Sequence, residues 1–374
     1  MKFKINRDHF AAGLSQVVNV VSSRISLPVL GNVLVETEED SIRLTTTNLD
    51  LRVSCKIKAE VLDAGRITLP AKWLKDIVSG FKGTDVSVEL QGENRVKISS
   101  GSSKFNPIGI AAEEFPPEPP ASAEFNVELE QGDIATMIKS VSYAQSTDEN
   151  RYVLNGVFFN FSEDKLALVA TDGKRLATCE KKLPAAFEKA TQFILPAKTV
   201  LELQRQLSGN GKIRFALSAR QVVFEVDSSG EDSGLTGTIR MVSKIVEGNY
   251  PQYKGVIPKD AGNRIELERE DLLSSVLQAS KVTTDKNSSV ILNISQNRIE
   301  ITASSTEYGD ASDTLAVRYE GAEARIAFNP YFIVDPLKAL TQDLVVFEFK
   351  DDLSPGVFKT KDEAFLCVVM PQRK

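Results

Sequence analysis

The 374-residue sequence predicts an α+β fold of three tandem copies, each internally duplicated as a helix followed by three strands. Three observations predict it. Short words recur at one constant spacing: Leu30, Val33 and Cys55 return as Leu154, Val157 and Cys179. Leu69-Pro70-Ala71-Lys72 also returns, two residues further on, as Leu195-Pro196-Ala197-Lys198. Apolar residues repeat at helical spacing in corresponding places of every copy. The stretches between them alternate apolar and polar residues with a period of two, the pattern of sheets covered on one face. The copies begin near Arg7, Gln131 and Arg269, and the domains are assigned as 1–120, 121–250 and 251–374.

Each element follows from a local pattern. Phe10, Leu14, Val17, Val18 and Val21 stripe the first helix of copy one. Ile134, Met137, Ile138 and Val141 do so in copy two, and Leu272, Leu273, Val276 and Leu277 in copy three. An acid opens each helix (Asp8, Asp133, Asp271), where the positive end of the helix dipole favours a carboxylate. The second helices follow a proline step. Trp73, Leu74, Ile77, Val78 and Phe81 form one apolar face, Val200, Leu201, Leu203 and Leu207 the next, and Phe332, Ile333, Leu337 and Leu340 the third. Pro70, Pro196 and Pro330 are expected in the first turn, where a missing N–H leaves nothing unsatisfied. Strands are expected over stretches such as Asn32–Glu36, Ser41–Thr45 and Asp85–Leu90. Two joints, Glu113–Pro120 and Asn249–Tyr253, pair an aromatic with proline and read as stiff spacers.

Composition excludes several classes of function. The 42% hydrophobic and 26% charged content is that of a globular protein. No apolar run approaches the roughly 18 residues that span a bilayer, and Met1–Asn6 lacks the apolar core of a signal peptide, so the chain reads as cytoplasmic with no membrane partner. The formal charge of −6 argues against a plain nucleic-acid coat, although a basic stripe fits on an acidic body. Cys55, Cys179 and Cys367 lie in apolar stretches without a Cys-x-x-Cys pair and read as small buried hydrophobes. His9, beside Asp8, is the only histidine, so any triad would have to be built on it, and two-histidine metal sites are excluded by count. Gly209-Asn210-Gly211-Lys212 lacks phosphate-loop spacing and has Ile213 where Ser or Thr would hold magnesium; it reads as a turn. No catalytic residue, cofactor or metal is indicated, and the chain reads as non-enzymatic.

Five segments in this order resemble one family: Leu27-Pro28-Val29-Leu30-Gly31-Asn32, Arg151-Tyr152-Val153-Leu154-Asn155-Gly156, Ala170–Ala177, Tyr250-Pro251 with Tyr253, and Val368-Val369-Met370-Pro371. Together, across the whole chain, they are similar to the bacterial DNA sliding clamp, the beta subunit of DNA polymerase III. The resemblance implies a clamp-type (processivity) fold and a head-to-tail homodimeric ring with helices lining the hole. It implies duplex DNA inside the ring and a role in tethering the polymerase. The implied partners are double-stranded DNA, a second copy, a clamp loader, the replicative polymerase alpha subunit, and other polymerases and repair proteins carrying short clamp-binding peptides.

Three groups of residues follow from the resemblance. The peptide pocket is expected from Leu154, Thr171, Gly173, Lys174, Arg175, Leu176, Pro251, Val256, Val368, Val369, Met370, Pro371 and Arg373. Gly255 and Asn287 depart from residues found in some relatives, so the rim is expected to differ. The 171–176 stretch is where copy two departs most from copy one, which reads Thr47-Asn48-Leu49-Asp50-Leu51-Arg52 at the same spacing. A sliding ring should hold phosphates and ignore base edges. Arg24 and Lys198 match DNA-facing positions of relatives, and helix placement adds Lys72, Lys75, Lys139, Arg205, Lys281 and Lys338. The ring contact is expected between Arg95, Lys97, Lys104 and Phe105 of one chain and Glu307, Asp310 and Asp313 of the other. The competing readings are a solvated helix face for the lysines and a last buried strand for 368–371. For the whole chain they are a monomeric β-rich scaffold or a hydrolase.

Overall fold

The computed structural model describes residues 1–22, 27–118, 125–183, 190–228, 233–283 and 289–372. Arg24, Pro119, Pro120, Asn287 and Arg373 lie outside the described residues. Copy one runs β1 (Lys2–Asn6), α1 (Arg7–Val17), β2 (Asn32–Thr37), β3 (Ser41–Thr47), β4 (Leu51–Lys58), β5 (Glu60–Asp63), β6 (Arg66–Pro70), α2 (Ala71–Gly80), β7 (Asp85–Gln91), β8 (Arg95–Ser100) and β9 (Ser103–Phe105). Copy two runs β10 (Phe125–Glu130), α3 (Gln131–Val141), β11 (Gly156–Ser162), β12 (Lys165–Thr171), β13 (Arg175–Lys182), β14 (Thr191–Pro196), α4 (Ala197–Gln206), β15 (Lys212–Leu217), β16 (Gln221–Asp227) and β17 (Leu235–Lys244). Copy three runs β18 (Asn263–Glu268), α5 (Arg269–Ser280), β19 (Val290–Ser295), β20 (Arg298–Ser305), β21 (Gly309–Ala316), β22 (Ala324–Phe328), α6 (Pro330–Ala339), β23 (Leu344–Phe349), β24 (Gly356–Lys359) and β25 (Phe365–Val369).

The half-unit differs from the sequence expectation in one respect. It has four strands, because a strand precedes each helix as well as three following it. That leading strand does not join the three strands that follow its own helix, although β1 also pairs the additional strand β5. β1 pairs β7, while β6 pairs β2. The exchange repeats in copy two, where β10 pairs β15 and β14 pairs β11. It repeats again in copy three, where β18 pairs β23 and β22 pairs β19. A period-two pattern marks these strands but carries no information about which sheet they enter. Two prolines also differ. Pro70 and Pro196 end β6 and β14 just before their helices, and only Pro330 is a first-turn residue, behind the Asn329 cap.

The chain condenses into two compact units, Met1–Ala135 with Leu201–Ile245, and Thr136–Val200 with Val246–Lys374. The first unit holds a sheet ordered β5-β1-β7-β8-β9 and an eight-stranded sheet ordered β10-β15-β16-β17-β4-β3-β2-β6. The second holds an eight-stranded sheet ordered β14-β11-β12-β13-β25-β24-β23-β18 and a sheet ordered β21-β20-β19-β22. Half-sheets of adjacent copies are therefore joined edge to edge by β4·β17 and by β13·β25, both antiparallel.

Helices cover the sheets through the predicted stripes. Phe10, Leu14 and Val17 of α1 are buried, each contributing about 1.5–3 kcal/mol by leaving water. Asn6 caps α1, accepting from the amides of Asp8 and His9. Two apolar residues of the second helices face outward instead: Trp73 is 38% and Leu201 52% exposed. The three cysteines are buried, and burial pushes their thiols up to about 12 (Cys55), about 11 (Cys179) and about 12 (Cys367). The segment 209–211 is a turn. Gly209 and Gly211 have φ of +86° and +84°, and the Gln131 backbone N–H donates to the Gly211 carbonyl at 3.0 Å. The fully buried Gln131 side chain donates to the carbonyls of Lys212 and Asp227 and accepts from Ser208, so its polar atoms are satisfied.

The exchanged ladder leaves no room at Gly156, which pairs with Pro196; a Cβ there would stand 2.3 Å from the Leu195 carbonyl oxygen. Gly156→Ala is expected to destabilise the protein by about 1–3 kcal/mol, read from the urea midpoint. Gly80→Ala, where a Cβ meets open space, is the control and should stay within about 0.5 kcal/mol of the parent.

Candidate functional site

The segment 171–175 is a tight turn between β12 and β13. Thr171 Oγ1 donates to the Arg175 carbonyl at 2.6 Å and accepts from the Gly173 amide at 3.1 Å. Asp172 Oδ1 accepts from the amides of Lys174 and Arg175 at 2.9 and 3.0 Å. Gly173 has φ +85°, which glycine adopts without a steric penalty. Copy one builds the same turn from different residues. Thr47 Oγ1 donates to Leu51 and accepts from Leu49, and Asn48 Oδ1 accepts from Asp50 and Leu51. Leu49 takes the glycine's place at φ +75°. The copies differ here in side chains while sharing the backbone.

Those side chains give the two junctions different chemistry. At β13·β25, Leu176 faces Val368 and Arg175 faces Val369, and the Met370 amide donates to the Lys174 carbonyl at 3.0 Å. At β4·β17 the matching pairs are Arg52 with Val242 and Leu51 with Ser243, and the Lys244 amide donates to Asp50 at 2.9 Å. Arg52 lies over the Phe115 ring at 5.3 Å and donates to the Pro116 carbonyl at 2.7 Å, while Lys244 pairs with Asp50 at 2.9 Å. Charged groups therefore cover the first junction. At the second, Leu176 and Val368 belong to a buried cluster with Phe158, Val169, Ile194, Tyr253 and Val357, and Val153 and Tyr250 pack against it. Tyr250 stacks on Phe158 at 4.8 Å and 7°. Met370 is 41% and Val256 52% exposed. Leu154 and Pro371 are half-buried, and Gly173, Lys174 and Pro251 are exposed. The ladder thus joins Lys174, Arg175 and Leu176 to Val368, Val369 and Met370. Arg151 links the 149–154 segment to the turn by donating to the Asp172 carbonyl at 3.3 Å.

Arg175 has a structural duty as well. Its side chain is only 11% exposed and donates to Asp335 at 2.6 Å, to Asp172 at 3.1 Å and to the Tyr143 carbonyl at 2.6 Å. Its guanidinium lies 4.6 Å from the Phe332 ring centroid. It ties α6 to the β12–β13 turn more than it offers a free rim charge.

The cations expected to face DNA lie on or beside the helices. Lys72, Lys139, Lys198, Arg205, Lys281 and Lys338 are exposed, and Lys75 is half-buried. Arg205 pairs at 3.4 Å with Glu202, whose side chain is 4% exposed, so part of its charge is committed. The two groups expected at the ring contact lie on sheet edges. β9 closes one side of its sheet, with Lys104 and Phe105 on it and Arg95 and Lys97 on β8. β21, at an edge of the other, carries Asp310 and Asp313 and follows Glu307. Phe105 packs edge-on to Trp73 at 6.1 Å, and Ile108 beside it is 69% exposed.

Family models for the DNA polymerase III beta subunit match the chain in order: the N-terminal domain over 1–119, the central domain over 128–252 and the C-terminal domain over 254–373. The beta sliding clamp of Vibrio cholerae is 32% identical over 375 residues, covering all of both chains. The chain belongs to the beta sliding clamp family. The clamp of Escherichia coli is 30% identical over 377 residues, again covering both chains fully. Among solved structures, the clamp of Bartonella birtlesii bound to griselimycin matches with a TM-score of 0.93, 31% identity and full coverage of both chains. The Pseudomonas aeruginosa clamp bound to griselimycin matches with a TM-score of 0.93 and 27% identity over the full length of both. Among the described residues of this clamp, no group of three or more His, Cys, Asp or Glu is placed to hold a metal, and no helix is long and apolar enough to cross a membrane.

Sequence reasoning did not nominate Phe158, Tyr250 and Tyr253 in the floor, or Trp73 and Ile108 at the edge. The aromatic-proline joint was the available signal for the tyrosines; partial exposure of Trp73 and Ile108 has no sequence signature. Removing Arg175 would strand two carboxylates and a backbone carbonyl. Arg175→Ala is expected to cost about 2–4 kcal/mol in denaturant unfolding, while Lys174→Ala, an exposed neighbour, stays within about 0.5 kcal/mol.

Proposed function

We propose that this protein is a cytoplasmic, non-catalytic processivity ring. Two copies close head to tail around duplex DNA, and each recruits the replicative polymerase by a short peptide. The observation that carries this reading is the fate of six half-sheets. Four of them join pairwise in one chain, by β4·β17 and β13·β25. The remaining two end at β9 and β21, which hold the same places in their half-sheets as β17 and β4. An unpaired strand edge is a template for pairing, and a second copy supplies the matching edge at both ends. A heterologous contact of this kind, repeated once, closes a ring. The basic Arg95, Lys97 and Lys104 then meet Glu307, Asp310 and Asp313, around Phe105 and Ile108 as apolar anchors.

The ring reading assigns Lys72, Lys75, Lys139, Lys198, Arg205, Lys281 and Lys338 to the DNA-facing surface as phosphate contacts. Affinity for linear DNA should then be weak and fall steeply with salt. The peptide pocket is assigned to the apolar second junction, with Met370 as a pliable lip over Leu176 and Val368. The clamp loader would open the ring at the β9·β21 contact, the one sheet junction without a covalent chain across it.

The decisive experiment is retention on DNA. Loaded by a clamp loader onto a nicked circle, the protein should remain through gel filtration and be lost once the circle is cut. Phe105→Asp should sediment at the mass of one chain and fail to remain; equal retention on linear and circular DNA defeats the ring reading. The pocket has its own check. Met370→Ala should weaken binding of a polymerase-tail peptide by about tenfold or more in a fluorescence titration, with the dimer intact. Unchanged affinity would remove Met370 from the pocket.

A further inference from the structure

The second helices of the three copies share a register. α2, α4 and α6 start at Ala71, Ala197 and Pro330, and the fourth residue of each (Leu74, Val200, Ile333) is buried. The second residue is therefore one position seen three times: Lys72, Lys198 and Tyr331. All three are exposed, Tyr331 at 57%. The ninth residue of α4 and of α6 is also an exposed cation, Arg205 and Lys338. Seven residues make about two helical turns, so Tyr331 and Lys338 share a face of α6 as Lys198 and Arg205 share one of α4. Copy three thus carries a phenol where the other copies carry an ammonium.

The fold gives the ring no evident task. The buried side of α6 is formed by Ile333, Val334 and Leu337 within the core of copy three, and Tyr331 is not part of that cluster. The helix start is capped from within, since Asn329 Oδ1 accepts the Tyr331 amide at 3.0 Å. What remains is an exposed tyrosine on a face that also carries the exposed Lys338 and, between them, Asp335, whose carboxylate is held by Arg175 at 2.6 Å.

We propose that Tyr331 is an uncharged phosphate contact: its hydroxyl donates a hydrogen bond to a non-bridging phosphate oxygen of duplex DNA. Tyrosine is among the residues that hold phosphates without reading bases, so sliding is preserved. A neutral donor displaces no counterion, so it adds affinity that salt does not remove. This inference rests on the ring reading above.

The test is equilibrium binding of the full-length dimer to a labelled duplex across a range of salt concentrations. Tyr331→Phe should bind about threefold to tenfold more weakly with an unchanged slope of log affinity against log salt. Tyr331→Lys should steepen that slope by about 0.9 for each added phosphate pairing. Both variants should melt with the parent, since the side chain is exposed. If Tyr331→Phe binds as the parent does, or if its salt slope changes, the proposal is overturned. A hydroxyl that served a protein partner would give the first of those results. Failure of the parent protein to bind duplex at any salt would instead overturn the ring reading and this proposal with it.

Discussion

Strand exchange between the halves of each copy is the constraint from which the rest of the structure follows. The strand before each helix is hydrogen-bonded into the other half's sheet, as β1 is to β7 and β6 to β2. Neither half can complete its sheet alone. The cost is long-range pairing: Lys2 lies opposite Glu89 in the ladder, and non-local contacts slow folding. The exchange also decides where assembly happens. The donated strand lies on one side of each half-sheet, which leaves the third strand after the helix at the opposite edge. Four of those edges, β4, β17, β13 and β25, are joined within the chain, and β9 and β21 hold the corresponding places in the two half-sheets that remain.

The proposed pocket inherits its position from one of these joins. A β-ladder between copies places the end of the chain against the β12–β13 turn, and backbone hydrogen bonds fix Met370 opposite Lys174. The side chains then need only be apolar. The first junction has the same backbone but spends it on Arg52, Asp50 and Lys244, which satisfy one another and nearby carbonyls. Chemistry at these sites is a matter of a few side chains on a scaffold that does not vary.

Much of this was legible in the sequence, for reasons that differ by feature. Helix starts at Arg7, Gln131 and Arg269 could be read because apolar stripes and dipole-matched acids are local signals. The divergence at 171–176 could be read because the copies provide their own comparison. Strand exchange could not, since a strand's alternation is the same whichever sheet receives it. Leu201 looked like core because its neighbours are core, and only the helix register shows that it points outward. Arg175 could be named among the expected pocket residues but not tied to α6, because its partner Asp335 is remote in sequence, although the two are 2.6 Å apart.

The leucine held at φ +75° in the first copy has a consequence for valency. A turn that tolerates a left-handed leucine is one the fold enforces whatever residue occupies it. The framework for a recruiting groove therefore already exists at both junctions of every chain. Converting Arg52 and Lys244 to the apolar types found at the second junction would be a change of surface on an unchanged backbone. A ring so altered would hold four partners in place of two, and linked partners would gain in effective concentration without any tighter individual contact. The charged cover over the first junction can thus be understood as a limit on how many proteins the ring gathers at once.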